Sequence, residues 1–217
     1  DIGSGLTATL SGLISGTGDF NKSGASTLNL ANTGNSASNW SLGLAGGTVA
    51  VSAAGQIGGG TIALAGGTLA IGASSTFTLG QQVQVTGSSS IDATNSSAGV
   101  VLSFNGAMSG GGALALDASD SQIYLSQASS LAGDLTVSST GSGLVAAIGS
   151  GTLGSGQISL TAGATLGVAG DSRTFANNIV LLGSAMLRTG APTAGSGTIT
   201  FSGVISESGG ARNLTVN

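Results

Sequence analysis

The sequence predicts an all-β chain that folds as a parallel β-helix of about ten coils. Short stretches such as "TIAL" from Thr61 and "QVQV" from Gln82 alternate apolar and polar residues, which is typical of half-buried strands. Gly-rich turns separate these stretches. Similar segments also return at a long and nearly constant spacing, which favours a stacked array.

Each predicted strand has apolar residues at positions i and i+2 between two turns, and no helical periodicity extends beyond about two turns. In the first half of the chain we expect strands at Leu6–Ile14, Thr27–Leu30, Trp40–Leu44, Thr48–Val51, Thr61–Leu64, Thr68–Ile71, Thr76–Leu79 and Val83–Thr86. In the second half we expect them at Val100–Phe104, Ala113–Leu116, Gln122–Leu125, Asp134–Val137, Leu144–Ile148, Gln157–Leu160, Thr165–Val168, Asn178–Leu182, Ala185–Arg188, Thr198–Phe201 and Asn213–Val216.

Composition excludes several classes of protein. The chain of 217 residues has 41 Gly, 40% hydrophobic residues and only 6% charged residues, so it is too apolar for a disordered linker. It has no Cys and no His, which excludes disulfides, thiolate metal sites, Ser-His triads and His-ligated zinc. Four basic residues cannot form a phosphate-binding stripe, so we expect no nucleic-acid partner. We predict no cofactor and no bound metal.

A long internal repeat runs through the chain. The segment "LSGLISGTGDF" (Leu10–Phe20) matches "FNGAMSGGGAL" (Phe104–Leu114) and "FSGVISESGGA" (Phe201–Ala211). The shared glycines Gly12, Gly106 and Gly203 are separated by 106 − 12 = 94 and 203 − 106 = 97 residues. We therefore predict one continuous segment, 1–217, built from units at approximately 6–99 and 100–196 and a truncated third unit at 197–217.

A parallel β-helix explains this repeat better than the alternatives. Propeller blades usually carry aromatic or Trp-Asp markers, which are absent here, and antiparallel barrels favour Asn-Gly hairpins, of which Asn105-Gly106 is an isolated case. Coils of roughly 20 residues stacked about 4.8 Å apart give a rod roughly 50 Å long.

One segment also resembles a known family. The stretch "ATLSGLISGTGDFNKSGASTLNLANTG" (Ala8–Gly34) is similar to the autotransporter-associated β-strand repeat, whose usual form contains "SGxISGxGxLxKxGxGTLxLxGxNTYxG". Ser11–Gly18 and Lys22–Leu30 match its two halves, and Asn32-Thr33-Gly34 lacks the family's Tyr. Weaker matches begin at Asn105 and Ser202. The resemblance implies a right-handed β-helix in the passenger of a type V secreted protein or a bacterial surface adhesin, where the repeat assists secretion and folding without catalysis.

Candidate catalytic residues are few. β-Helix enzymes that act on polysaccharides use clustered carboxylates, and Asp117, Asp120 and Asp134 form the best cluster. Asp117 and Asp120 flank a predicted turn, where Asp caps its own backbone. The nearest repeat positions carry Asn29 and Asn32 instead of acids. We therefore interpret these carboxylates as turn residues and predict that the chain is not an enzyme.

Two binding functions of β-helices are also disfavoured. A calcium-binding β-roll needs an Asp after its glycines, but Gly110–Gly112 is followed by Ala113-Leu114. An ice-binding face needs stacked Thr-x-Thr pairs, and such pairs at positions 7/9, 76/78 and 198/200 do not recur coil by coil.

The aromatic residues and the arginines have simple interpretations. We interpret Trp40 as a core residue, because its counterpart in the second unit is Leu135. The phenylalanines align partly in pairs, which is typical of packed core residues. We interpret the isolated arginines as surface charges; these are Arg173, Arg188 and Arg212.

These observations predict a structural rod segment of an exported bacterial surface protein that mediates display or adhesion, placed outside the cell or anchored at the outer membrane. Its partner would be a host-cell or matrix surface. The alternatives are a subunit of a self-assembling extracellular filament, joined end to end, and a glycan-active β-helix enzyme. Asp1-Ile2-Gly3 does not open a recognisable signal peptide, and the third repeat unit is incomplete, so we expect the segment to belong to a longer chain.

Overall fold

The computed structural model describes residues 5–149, 151–169, 172–189 and 198–217, and these form a parallel β-solenoid. On each coil the chain passes from sheet 1 to sheet 2 and then to sheet 3, except where turns replace a strand, and every strand pair between described residues is parallel. Sheet 1 has ten strands, so the chain makes 10 − 1 = 9 turns. The predicted fold class is thus confirmed, and turns about 4.8 Å apart make a body about 43 Å long.

Strands are numbered in chain order. Sheet 1 contains β1 Thr7–Leu10, β3 Thr27–Leu30, β5 Thr48–Val51, β7 Thr68–Ile71, β10 Ser89–Asp92, β13 Leu114–Asp117, β16 Leu135–Ser138, β18 Ile158–Leu160, β21 Ile179–Leu181 and β24 Ile205–Glu207. Sheet 2 contains β8 Phe77–Leu79, β11 Val101–Phe104, β14 Gln122–Leu125, β17 Leu144–Ile148, β19 Thr165–Ala169, β22 Ala185–Thr189 and β25 Leu214–Val216. Sheet 3 contains β2 Asp19–Lys22, β4 Ser41–Leu44, β6 Ile62–Leu64, β9 Val83–Val85, β12 Met108–Gly110 and β15 Ser130–Leu131, and the pair β20 Arg173–Phe175 and β23 Ile199–Phe201 follows it in the later coils.

The core is made of aliphatic ladders, because strand alternation sends every second side chain inward. The clearest ladder climbs sheet 1, with its members on successive coils and all buried: Leu28, Val49, Leu69, Ile91, Leu116, Val137, Leu160 and Leu181. Each buried aliphatic side chain contributes roughly 1.5–3 kcal/mol. These ladders offset the entropy lost on ordering a glycine-rich chain.

A charged residue ends the inward ladder of sheet 1, and another begins the inward column of sheet 3. Leu181 is in register with Glu207 of the last sheet 1 strand. At the other end Lys22 precedes Leu44 in the inward column of sheet 3. The Lys22 ammonium is buried and donates to the carbonyl oxygens of Ser23 and Gly24 at 2.8 Å, and of Gly46 at 3.2 Å.

Two short 3-10 turns replace sheet 2 in early coils. They span Thr33–Ala37 and Ala54–Gln56, and they stack on each other. The fully buried Asn35 bridges three coils: its Oδ1 accepts from the Ile14 N–H and its Nδ2 donates to the Gln56 carbonyl, both at 2.9 Å. Among the described residues, no helix has the length and apolarity needed to cross a membrane.

Every predicted strand has a counterpart in the structure, and the differences lie at polar segments. The predicted strand Leu6–Ile14 is shorter, since only Thr7–Leu10 pairs with the next coil. Six strands were not predicted because their sequences lack clear apolar alternation: β2, β10, β12, β15, β20 and β24. They are strands because neighbouring coils satisfy their backbone groups.

The sequence repeat is out of phase with the coil. Its equivalent segments begin with β1 on sheet 1, β11 on sheet 2 and β23, which pairs with β20. Each copy therefore advances four turns and one further face. The predicted units near 6–99, 100–196 and 197–217 begin on three different faces, so a feature of one copy does not recur above its counterpart.

Candidate functional site

The predicted acids lie on the outward side of sheet 1 and in its turns. Asp117 ends β13, and its Oδ1 accepts from the Ser119 N–H at 3.0 Å, which makes it a turn residue. Its neighbour one coil away is Asp92, which ends β10 in direct register and makes the same bond to the Thr94 N–H at 2.8 Å. The nearest repeat positions carry Asn29 and Asn32, but the repeat is out of phase with the coil, so the neighbouring coil places Asp92 beside Asp117.

The other predicted acids are used elsewhere. Asp134 Oδ1 accepts from the Gln157 N–H at 3.1 Å in the turn before β18. The Asp120 carbonyl accepts from the Gly99 N–H at 2.9 Å and from the Ser142 hydroxyl at 3.1 Å. Within the described parts of the chain, no three His, Cys, Asp or Glu side chains are grouped so that they could hold a metal ion.

Trp40 is a core residue, as the sequence predicts. Its side chain is 2% exposed, and its Nε1 donates to the Ile14 carbonyl at 3.1 Å. The Phe20 ring packs edge-on against it with 5.5 Å between the ring centroids. It therefore offers no surface on which a sugar could stack.

Threonine hydroxyls form a single outward column on sheet 1. Thr7, Thr27, Thr48 and Thr68 lie on successive coils, and the Thr68 hydroxyl hydrogen-bonds the Ser90 hydroxyl at 2.8 Å. The neighbouring outward column, which a Thr-x-Thr array would also need, reads Thr9, Asn29, Ala50 and Ala70. Along these four coils, therefore, the Thr-x-Thr pairs do not recur coil by coil.

The arginines differ in their surroundings. The Arg173 guanidinium donates to the Gly151 carbonyl at 2.8 Å and to the Gly149 carbonyl, so it closes a turn. Arg212 donates to the carbonyls of Ser208 and Gly209 at 3.4 Å. Arg188 on β22 is exposed, and no hydrogen bond or ion pair within the described residues engages its guanidinium.

An apolar cluster lies on the outer side of sheet 2, where small polar residues would be expected. Tyr124, Leu144 and Ala146 point away from the main core and are buried, and Val101 and Ile148 pack against them. Registers place Tyr124, Ala146, Gly167 and Arg188 in one outward column on four successive coils. This arrangement brings an aromatic hydroxyl and a guanidinium to the same face.

The Tyr124 hydroxyl interacts electrostatically with Arg188 on this face. Burial raises the pKa of its hydroxyl from 10.0 to about 12, and the positive charge of Arg188 opposes that rise. The hydroxyl donates to Oε1 of Gln122, its neighbour on the same side of β14. The phenol therefore stays neutral at physiological pH.

A cavity of about 470 Å³ opens beside this cluster. One wall is the Gly141–Gly143 turn, and the others are formed by Thr165, Met186, Arg188 and the end of β22 at Thr189, with Asn217 next to it. A side chain at Gly167 would come within 2.9 Å of Leu144 Cδ1, so the column beneath Arg188 has no room for one. Within the part of the chain that the structure describes, the cavity thus combines an unpaired guanidinium, hydroxyls and an apolar wall.

The sequence does not bring this surface together locally, because its residues come from four coils, with Tyr124 and Arg188 188 − 124 = 64 positions apart. A local signal was present. The stretches "QIYL" at Gln122–Leu125 and "LVAAI" at Leu144–Ile148 place apolar residues consecutively, where other strands alternate. Consecutive apolar residues in a strand indicate burial on both faces.

The fold assigns the chain to the parallel β-solenoids. Comparison with known protein families, with curated proteins and with solved structures finds no match in any of the three.

Proposed function

We propose that this chain is a structural rod segment of an exported bacterial surface protein, similar to an autotransporter adhesin, that displays or spaces an adhesive region outside the cell. The observation that carries the proposal is the inward ladder of sheet 1, which is continuous from Leu28 to Leu181. A body held together by stacking between neighbouring coils gains length with every coil. The similarity of Ala8–Gly34 to the autotransporter-associated repeat also supports this proposal.

The proposal is tested by exporting the chain on a carrier. The chain is placed between an export signal and an outer-membrane translocator in a Gram-negative host, with an epitope tag at its outer end. We expect the tag to be displayed on the cell and the chain to resist added protease. Leu116→Asp places a charge in the core and should abolish protease resistance, whereas Ala115→Asp on the outward side should not. A wild-type chain that is not displayed, or that is digested as fast as Leu116→Asp, would contradict the proposal.

A second candidate function is a filament formed by end-to-end association of copies. In the described residues the most exposed large apolar side chains, except Leu182, lie in the first and last coils: Leu6, Leu10, Leu13, Val204, Ile205 and Val216. Glu207 opposes such contact, since it places a carboxylate on the inward column of the last strand of sheet 1. Sedimentation across protein concentration tests the idea. Self-association that Glu207→Leu strengthens and Leu13→Asp abolishes would support it, and a monomer at every concentration would exclude it.

A glycan-active enzyme remains as the third candidate because Asp92 and Asp117 lie side by side. Carboxylate pairs of this kind hydrolyse glycosidic bonds when one of them is held protonated. Both carboxylates here accept turn N–H groups, so each already has a structural role in its own turn. If the chain cleaves a polysaccharide and the Asp92→Asn and Asp117→Asn variants do not, the enzymatic function is established. Inactivity on a broad polysaccharide panel would exclude it in favour of the structural function.

A further inference from the structure

The outward face of sheet 2 carries a group of side chains that a structural rod does not need. A rod needs only small polar residues on its outer surface, yet here a guanidinium, three hydroxyl side chains and a thioether meet around a cavity of about 470 Å³. That volume falls within the range of about 300–1,000 Å³ that is usual for small-molecule sites.

The charge of the cavity is set by Arg188. Its side chain is exposed, and within the described residues its guanidinium makes no hydrogen bond and no ion pair. A planar guanidinium with parallel N–H groups matches a carboxylate in a two-point contact. One guanidinium balances one negative charge on a ligand.

The walls add hydrogen bonds and an apolar contact. The Thr165 hydroxyl makes no hydrogen bond within the described residues, and the hydroxyls of Ser142 and Thr189 donate to backbone carbonyls, which leaves their lone pairs free to accept. Met186 provides an apolar surface next to Thr165 on the adjacent coil. A pyranose ring has hydroxyl groups along its edge and an apolar face. These two surfaces match the hydroxyl side chains and the apolar surface of the cavity.

From this geometry we infer that the cavity binds an acidic saccharide, a pyranose unit bearing one carboxylate, with Arg188 holding the carboxylate. The hydroxyls of Ser142, Thr165 and Thr189 hydrogen-bond the sugar, and Met186 contacts its apolar face. The inference is independent of the rod function, since it concerns a side surface that any stacked solenoid could carry.

Calorimetric titration with a galacturonic acid trimer tests the inference, with the methyl ester of the same trimer as the uncharged control. We expect the acid to bind at least about tenfold more tightly than the ester, because a charge-assisted hydrogen bond is lost. Raising the salt concentration should weaken binding of the acid. Arg188→Gln should remove the preference for the acid, while Arg212→Gln, which makes the same change in net charge at another position, should keep it.

Four outcomes would overturn the inference. The first is no binding of the acid trimer, and the second is equal binding of acid and ester. The third is an Arg188→Gln variant that binds the acid as the wild type does. Inorganic phosphate is titrated as well, and phosphate that binds as tightly as the trimer would show a general anion site instead of a saccharide site. Because Arg188 is exposed, its replacement should leave the circular dichroism spectrum unchanged.

Discussion

At the scale of single residues, the interior depends on a few buried polar side chains that link coils. Asn35 is the clearest, because one amide serves the coil before it and the coil after it. A short amide can do this since coils are stacked about 4.8 Å apart, which is within reach of both neighbours. Apolar residues cannot replace it without leaving backbone groups unpaired.

Replacing this residue should therefore be costly. Asn35→Ala leaves the Ile14 N–H and the Gln56 carbonyl without their partner, and each orphaned group costs about 1–3 kcal/mol. We expect urea unfolding to show a loss of at least about 2 kcal/mol. Asn95→Ala, on an exposed loop, should change stability by less than about 0.5 kcal/mol. Equal losses in the two variants would contradict the role given to Asn35.

Because of Tyr124, the stability of the folded chain changes with pH in the alkaline range. Its pKa is raised from 10.0 to about 12 in the folded chain, so the unfolded chain loses the phenolic proton first. The stability associated with the neutral phenol is present below pH 10 and is lost as the pH rises toward 12. Because the chain has a single Tyr, tyrosinate absorbance reports on this group alone. We expect its titration midpoint to fall to the ordinary value in urea. Tyr124→Phe should flatten the decline of the unfolding midpoint above pH 10, and an unchanged decline would contradict this assignment.

At the scale of elements, the turns set how closely the coils approach. Gly106, which recurs in the repeat as Gly12 and Gly203, lies in the turn between β11 and β12. A Cβ there would overlap the Gln81 carbonyl of the coil below, and one at Gly203 would overlap the Asn177 carbonyl. The recurrence of glycine at this motif position thus has a steric cause wherever a coil lies beneath it.

Two alanine substitutions separate this steric cause from backbone flexibility. Gly106→Ala should destabilise the chain by about 1–3 kcal/mol, because the backbone of a neighbouring coil must move. A Cβ at Gly111 meets no atom within 4 Å, so Gly111→Ala should be neutral or stabilise by up to about 1 kcal/mol. Thermal unfolding of both variants measures the difference, and similar values for the two would show that flexibility dominates.

Strand prediction succeeded where the inward alternation is apolar and failed where it is not. Thr48–Val51 and Thr68–Ile71 were predicted with the bounds that the structure shows, because each has two large aliphatics on one face. Ser89–Asp92 was missed, since its inward residues are Ser89 and Ile91 and the serine carries no hydrophobic signal. Its strand conformation comes from pairing with β7 and β13 on both sides.

At the scale of the whole molecule, the coil is the unit of stability, and the sequence repeat is not. Leu114 pairs with Leu135 one coil later, so residues 114–134 make one complete coil with one strand in each sheet. Removing whole coils preserves the faces of all later strands. Removing part of a coil moves the later strands to other sheets.

Deletion of residues 114–134 should therefore give a folded chain whose longest dimension is shorter by about 4.8 Å. Deletion of residues 114–127 removes the strands of two sheets and leaves β15, so later strands move to the wrong faces and cooperative unfolding should be lost. Small-angle scattering and urea unfolding measure both variants. A folded, cooperative 114–127 deletion would show that the three faces are interchangeable.

The sequence by itself determined the fold class, most of the strands and the burial of Trp40, because these follow from local alternation of apolar and polar residues and from the spacing of glycines. Only the tertiary structure decided which residues are neighbours across coils. The distance along the chain between neighbours varies, from 20 residues between Thr48 and Thr68 to 29 between Ala185 and Leu214. Small differences in turn length add up over several coils, and they place Asp92 beside Asp117 and Arg188 in the same column as Tyr124.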